Sequence, residues 1–345
     1  MTQKTSGCFW MLAGFGLCLG FLFVLAIVFV VSSGNSMRTV VKPSAPRFEE
    51  AVVVDSKPGK DQKDTDAKIA LIYLRGVISA AEPGTIGETM VDDLKIQLEQ
   101  AATDDKVKAV VLYVDSPGGE VTASDSIYNA VRKLRDGGFG KKKPVVVYMG
   151  SLAASGGYYV SCAGNWIMAN ETTLTGSIGV IMQSLNYRQL FGKVGLETIT
   201  FKSGQFKDML SGSRELTQDE RDYIQKMVMD SYSKFVGIVA RERKLNEDEL
   251  RHGLADGRVI SGKDAKAANL INATGEVEDA YAKAMELGGT KSATVIRYES
   301  PFKFGKLFRL LGQSEKTSVE VNVAKALVPK LEAGRLYFLP SFYAP

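Results

Sequence analysis

The amino-acid sequence predicts an α/β fold, a largely parallel sheet covered by helices on both faces. Three observations predict it. Short, almost wholly apolar runs recur along the chain, as strands buried on both faces require. Segments with helical apolar spacing separate them. Turns rich in glycine and serine follow several of the runs, where parallel sheets place their ligands. The chain has 345 residues, 45% hydrophobic and 24% charged, which is ordinary for a globular protein.

The elements follow in order. No charge falls between Lys4 and Arg38, and residues 8–31 form an apolar run of about 24 residues. As a helix it would span roughly 36 Å, enough for a ~30 Å hydrocarbon core. A signal peptide would carry a shorter apolar region of about 7–15 residues and a small-residue cleavage site. Val31-Ser32-Ser33-Gly34 is a poor site, and Leu17 spoils a lipobox before Cys18. Residues 1–32 are therefore read as a retained transmembrane anchor. Charge leaves its orientation open, because Lys4 lies on one side and Arg38, Lys42 and Arg47 on the other. Residues 33–65 read as a linker, with a short valine run within 45–54 that could be ordered.

The domain is expected over 66–300. Ile69–Leu74 is a buried strand. Residues 88–102 are a helix with Val91, Leu94, Leu98 and Ala101 on one face. Val107–Val114 is the second strand and residues 121–135 the second helix. Val145–Met149 is the third strand, a helix begins over 153–162, and Trp166–Ala169 is another strand. Residues 217–243 form a long helix, and 246–254, 262–270 and 277–287 shorter ones. The tail, 301–345, is basic and then ends uncharged, with Leu336-Tyr337-Phe338-Leu339-Pro340 in its last stretch. Its apolarity fits packing on a neighbour or beside an active-site groove.

Composition excludes several chemistries. His252 is the single histidine, so His-based zinc and two-His-one-carboxylate sites are out. The three cysteines, Cys8, Cys18 and Cys162, allow neither a disulfide framework nor a zinc ribbon. Cys162 reads as a small buried hydrophobe, and no cofactor is expected. Removing Lys4 from the 43 bases leaves 42 against 39 acids, too mild a balance for nucleic-acid binding.

Three turns could carry chemistry. Asp115-Ser-Pro-Gly-Gly119 can present backbone amides as an oxyanion hole or be a plain tight turn. Ala153-Ala-Ser-Gly-Gly157 has the small neighbours of a nucleophile elbow, although Ser155 could equally be a helix N-cap. Leu174–Val180 is the third, followed by the Lys202–Asp208 loop. A serine nucleophile needs a proton acceptor. His252 reads as a surface or helix-end residue. A lysine can serve if burial brings its pKa toward neutrality, which leaves Lys202 and Lys207 open.

Five motifs stand in order: Asp115-Ser-Pro-Gly-Gly119, Ala153-Ala-Ser-Gly-Gly-Tyr-Tyr159, Leu174-Thr-Gly-Ser-Ile-Gly-Val180, Lys202-Ser-Gly-Gln-Phe-Lys-Asp208 and Ala255-Asp-Gly-Arg-Val259. Over roughly 66–300, plus the anchor, the chain resembles the short, single-domain form of the signal peptide peptidase A family, membrane-anchored bacterial serine proteases. The resemblance implies a ClpP/crotonase-type fold and a Ser/Lys dyad. It implies Ser155 as nucleophile, Lys207 as base with Lys202 as fallback, and Ser177 as the hydroxyl that orients the base. It implies the Gly119 amide in the oxyanion hole, with Gly156 the natural second donor. It further implies an oligomeric ring whose dyads are shared between subunits, and an extracytoplasmic catalytic domain. The implied substrates are remnant signal peptides, apolar and with a small residue at the cleavage point. An acyl-CoA enzyme of the same fold and an inactive membrane scaffold are the rival readings.

Overall fold

Apolar side chains that alternate along a strand face opposite sides of a sheet, and here both sides are buried. Residues 48–55, 66–80, 89–300 and 336–340 are described by the computed structural model. The strands are β1 (Glu49–Val54), β2 (Lys68–Arg75), β3 (Val107–Ser116), β4 (Gly119–Glu120), β5 (Val145–Ala154), β6 (Trp166–Ala169), β7 (Leu174–Gly176), β8 (Val259–Ser261), β9 (Ala273–Thr274), β10 (Thr294–Glu299) and β11 (Tyr337–Phe338). The helices are α1 (Met90–Thr103), α2 (Val121–Asp136), α3 (Gly156–Ser161), α4 (Arg188–Lys193), α5 (Gln218–Arg243), α6 (Glu247–His252), α7 (Gly262–Ala267) and α8 (Val277–Leu287).

The main sheet runs β1-β10-β2-β3-β5-β6-β9, with β7 added beside β5 and β8 beside β7. Pairing is parallel except at β1–β10 and β7–β8. Ala70, Ile72 and Leu74 of β2 face a core shared with α1, α2, α3 and α5. Ile69 and Leu71 point the other way, into a core with Ala280, Tyr281 and Ala284 of α8. Covering both faces is what makes the strands read as continuous apolar runs.

The expected α/β architecture is present, with a largely parallel sheet. Two local expectations change. The stretch read as the start of a helix at 153 is still strand: β5 continues to Ala154, because Leu152, Ala153 and Ala154 pair with Leu174, Thr175 and Gly176 of β7. Within the stretch read as linker, residues 49–54 are strand β1, paired antiparallel with β10. No helix among the described residues is long and apolar enough to cross a membrane. The expected anchor at 1–32 lies outside the described residues.

Candidate active site

A strand running into a helix must reverse direction within one or two residues, and β5 does so at Ser155. Its backbone has φ 52° and ψ −113°, a region that non-glycine residues rarely occupy and that costs about 1–3 kcal/mol. The surroundings over-determine it. Ser155 N–H donates to the Gly176 carbonyl at 2.8 Å, and the Ser155 carbonyl accepts from Tyr159 N–H at 2.8 Å. Helix α3 behind it is fully buried. Ser155 heads α3 but makes no side-chain capping bond. Its Oγ is buried without a hydrogen-bond partner among the described residues. A buried, unpaired hydroxyl costs about 1–3 kcal/mol, so this serine is held for something other than helix capping.

The Asp115–Gly119 turn closes over Ser155 from β3. Gly118 has φ 101°, and its N–H donates to Ser116 Oγ at 3.0 Å. A Cβ on Gly118 would stand 2.5 Å from the Gly156 nitrogen. A Cβ on Gly156 would in turn stand 3.1 Å from the Gly119 nitrogen and 2.6 Å from Ser124 Oγ. The backbone nitrogens of Gly119 and Gly156 therefore lie close together beside Ser155; two amides aimed at one point are what a developing oxyanion requires. Ser177 lies one residue beyond the Gly176 carbonyl that holds Ser155. It is buried, has φ 52°, and donates its N–H to the Arg258 carbonyl at 2.8 Å.

Gly119 also yields a sharp expectation. A Cβ there would fall 2.0 Å from the Ile78 carbonyl oxygen and 2.6 Å from the Ile78 nitrogen, both backbone atoms. Gly119→Ala must move β4 and its amide, so hydrolytic activity should fall on the order of 10²–10³-fold. Steady-state kinetics alongside a melting curve check it; wild-type rates in a well-folded variant would remove Gly119 from the site.

The lysines stand apart. Lys207 is exposed, on the 201–216 loop between α4 and α5, and its side chain makes no hydrogen bond or ion pair among the described residues. Lys202 donates to the Gln205 carbonyl at 3.1 Å and to Asp208 at 2.8 Å. Asp208 sits next to Lys207 in sequence, but its carboxylate is taken by Arg214 at 2.6 Å and 2.9 Å. Arg214 also bonds the fully buried Glu220, which accepts Thr217 N–H at the start of α5. The Arg214 guanidinium is the main reason the Asp208 carboxyl lies well below the usual carboxylate range and Glu220 is pulled down to about 2. Both carboxylates thus stay ionised, and the clamp intact, until pH falls to about 2.

The remaining candidates are quiet. His252 ends α6, exposed, with Nδ1 2.8 Å from the Asp248 carbonyl oxygen. Cys162 is buried and free, and burial pushes its thiol up to about 12, which makes it inert. No group of three His, Cys, Asp or Glu residues able to hold a metal exists among the described residues. Chain order kept two contributors from view in the sequence: Arg214, and Ile181, whose N–H donates to the Tyr337 carbonyl of the tail at 3.0 Å. Strand β11 lies along β4, with Phe338 opposite Gly119 and Tyr337 opposite Glu120. The apolarity of 336–340 was its only signal.

A family profile described as peptidase family S49 matches residues 139–291, and one described as Clp protease matches residues 65–185. A candidate signal peptide peptidase of Enterococcus faecium is 38% identical over 59% of this chain and 58% of its own. Protease 4 of Salmonella typhi is 37% identical over 67% of this chain and 36% of its own. A candidate protease of Synechocystis sp. is 36% identical over 65% of this chain and 76% of its own. The chain thus spans less than two thirds of the first two relatives.

Proposed function

Since this chain belongs to peptidase family S49 and is signal peptide peptidase A-like, we propose that it is a serine endopeptidase with Ser155 as nucleophile and Lys207 of a neighbouring subunit as base. The observation that carries this reading is the buried, unpaired Ser155 hydroxyl on a strained elbow, beside the closely set Gly119 and Gly156 amides. Neutral Lys207 accepts the Oγ proton as Oγ attacks a peptide carbonyl carbon. The two amides hold the oxyanion. As the tetrahedral species collapses, the C–N bond breaks and the lysine returns the proton to the leaving amine. Water, deprotonated by the same lysine, then releases the acyl group from Ser155.

Within one chain the lysine loop stands exposed, and so does a large apolar surface leading into it. Leu185, Leu190, Val194, Leu196, Ile199 and Phe201 are all more than half exposed. Six large apolar side chains exposed within 17 residues of chain are what a protein contact would cover. A second copy covering it supports a homo-oligomer in which the loop of one subunit completes the site of the next. Ser177, beside Ser155, is suitably placed to orient the incoming base. The apolar run at 8–31 supports a single-pass anchor in a bacterial membrane, with the domain outside the cytoplasm and remnant signal peptides as substrates. A serine-reactive fluorophosphonate tests the nucleophile: adduct mass on the Ser155 peptide is expected, and labelling at another serine would overturn the assignment.

Arg214 has a measurable part in this scheme. It ties Asp208, next to Lys207, to the buried Glu220 at the start of α5. Arg214→Gln should lower the melting temperature, because it strips the Glu220 carboxylate of its guanidinium partner. An unchanged melting curve would make the clamp dispensable.

A further inference from the structure

Helix residues spaced i, i+3 and i+7 share one face. Two faces with that spacing meet across a surface cleft: Asp125, Tyr128 and Arg132 of α2, and Lys234, Gly237 and Arg241 of α5. The cleft has a volume of about 330 Å³. Gly237 lies inside the 26-residue helix α5, where glycine is disfavoured. Packing does not demand it, because an added Cβ would meet only Glu247 Oε2, at 3.8 Å. Its absence of a side chain leaves the cleft wall bare between Lys234 and Arg241.

Three of these side chains are cations, and the carboxylates around them are already engaged. Asp125 pairs with Lys234 at 2.8 Å and accepts the Tyr159 hydroxyl at 2.6 Å. Glu242 accepts the Tyr128 hydroxyl at 2.6 Å and Arg135 at 2.9 Å. Asp136 is bonded to Arg135 at 2.9 Å and stands 4.0 Å from Arg132 Nε, beyond hydrogen-bond reach. Arg132 thus makes no hydrogen bond among the described residues. Arg241 bonds Tyr128 Oη at 2.8 Å and Glu242 at 3.4 Å, both from Nη2, which leaves its Nε and Nη1 unused there. The contacts also fix the layout. Lys234 meets Asp125 at one end; Arg241 meets Tyr128 one turn along α2, and Arg132 follows one turn further. The two guanidiniums therefore share one end, with the Lys234 backbone about 10 Å away along α5.

We propose that the α2–α5 cleft binds a diphosphate, with Arg132 and Arg241 on one phosphoryl group and Lys234 on the other. Guanidinium forks match phosphoryl oxygens two at a time, and an ammonium supplies a compact charge on a flexible stem. The one carboxylate of the lining, Asp125, sits at the lysine end, so the strongest contacts fall at the arginine end. Occupancy reaches the elbow through Tyr159. As Lys234 turns to the ligand it leaves Asp125, which then holds only the Tyr159 hydroxyl, one turn past Ser155 in the buried helix α3. Binding and peptide hydrolysis are thereby coupled. Only this coupling rests on the peptidase reading; the site does not.

Calorimetric titration of the full-length protein with pyrophosphate, ADP and sulfate, at equal ionic strength and without divalent cations, tests it. Pyrophosphate should bind once per chain, at least ~10-fold tighter than sulfate. ADP binding tighter than pyrophosphate assigns a nucleoside diphosphate as the source of the two phosphoryl groups; equal or weaker ADP binding assigns the free anion. Arg132→Gln and Lys234→Gln, both at exposed positions, should each weaken pyrophosphate on the order of 10-fold with the melting curve unchanged. Pyrophosphate no tighter than sulfate, or indifferent to both substitutions, would mean an adventitious ion only and overturn the site. Saturating pyrophosphate should also change kcat/KM for a peptide by at least ~5-fold in the native protein and not in Tyr159→Phe. An unchanged rate with binding intact would overturn the coupling and leave the site. Intact binding to a protein that hydrolyses no peptide would sink the peptidase reading alone.

Discussion

Ser155→Gly abolishes peptide hydrolysis, by a factor on the order of 10⁴ or more, and raises the melting temperature. The two effects have separate causes. Activity goes with the proposed nucleophile. Stability rises because φ 52° with ψ −113° is open to glycine and strained for serine. The buried Oγ without a partner among the described residues goes as well. Against this stands the larger unfolded-state entropy of glycine, about 0.5–1 kcal/mol. The net gain is on the order of 1 kcal/mol, or roughly 2–4 °C for a domain of this size. Ser155→Ala is the control: equally inactive, but still strained and therefore not stabilised to the same extent. Residual activity in either variant would remove Ser155 as nucleophile. A lower melting temperature for Ser155→Gly would mean that the elbow is not a store of strain.

Two inactive proteins, mixed, regain activity. Lys207→Ala alone should lose on the order of 10³-fold or more, because without a proton acceptor the serine hydroxyl is a weak nucleophile. Lys202→Ala should stay within a few-fold of wild type, since its ammonium is bonded to Asp208 and the Gln205 carbonyl. If each dyad draws Ser155 from one subunit and Lys207 from the next, co-assembly of Ser155→Ala with Lys207→Ala rebuilds intact dyads. Random pairing gives roughly a quarter of wild-type sites. Rates measured after unfolding and refolding the mixture, compared with each variant refolded alone, check this. Active Lys207→Ala protein would move the base to Lys202 or elsewhere. An inactive variant that no mixing rescues would place both partners of the dyad in one subunit.

Much of the fold was legible because burial on two faces leaves a one-dimensional trace. The runs at 69–74, 107–114 and 145–149 needed no partner to be recognised as strands. The end of β5 did need one. Gly150-Ser151-Leu152-Ala153-Ala154 has no strong preference of its own, and pairing with β7 keeps it extended to Ala154. Likewise Glu49–Val54 showed only as a valine run within the linker that could be ordered, because its pairing comes from β10, some 240 residues away in sequence. At the site, Ser155 and the Asp115–Gly119 turn were legible from their small residues, Gly156 and Ser177 came from the family resemblance, and the structure brings Ser155, Gly119, Gly156 and Ser177 together. It does not bring Lys207 or Lys202 to them within one chain. In the proposed scheme a neighbouring subunit brings the lysine to the buried serine, and no local pattern encodes that.

By itself the sequence determined the alternating strands and helices, the turns that carry small residues, and the chemistry left once a single histidine and three cysteines had excluded the rest. These are local or compositional properties, set by side-chain period, backbone propensity and residue type. The tertiary structure alone decided the strained elbow at Ser155, the approach of two glycine amides from different turns, the diversion of Asp208 to Arg214, and the facing of α2 and α5 side chains across one cleft. Each depends on atoms far apart in the chain being held within hydrogen-bond or van der Waals reach, and only the packed core holds them there.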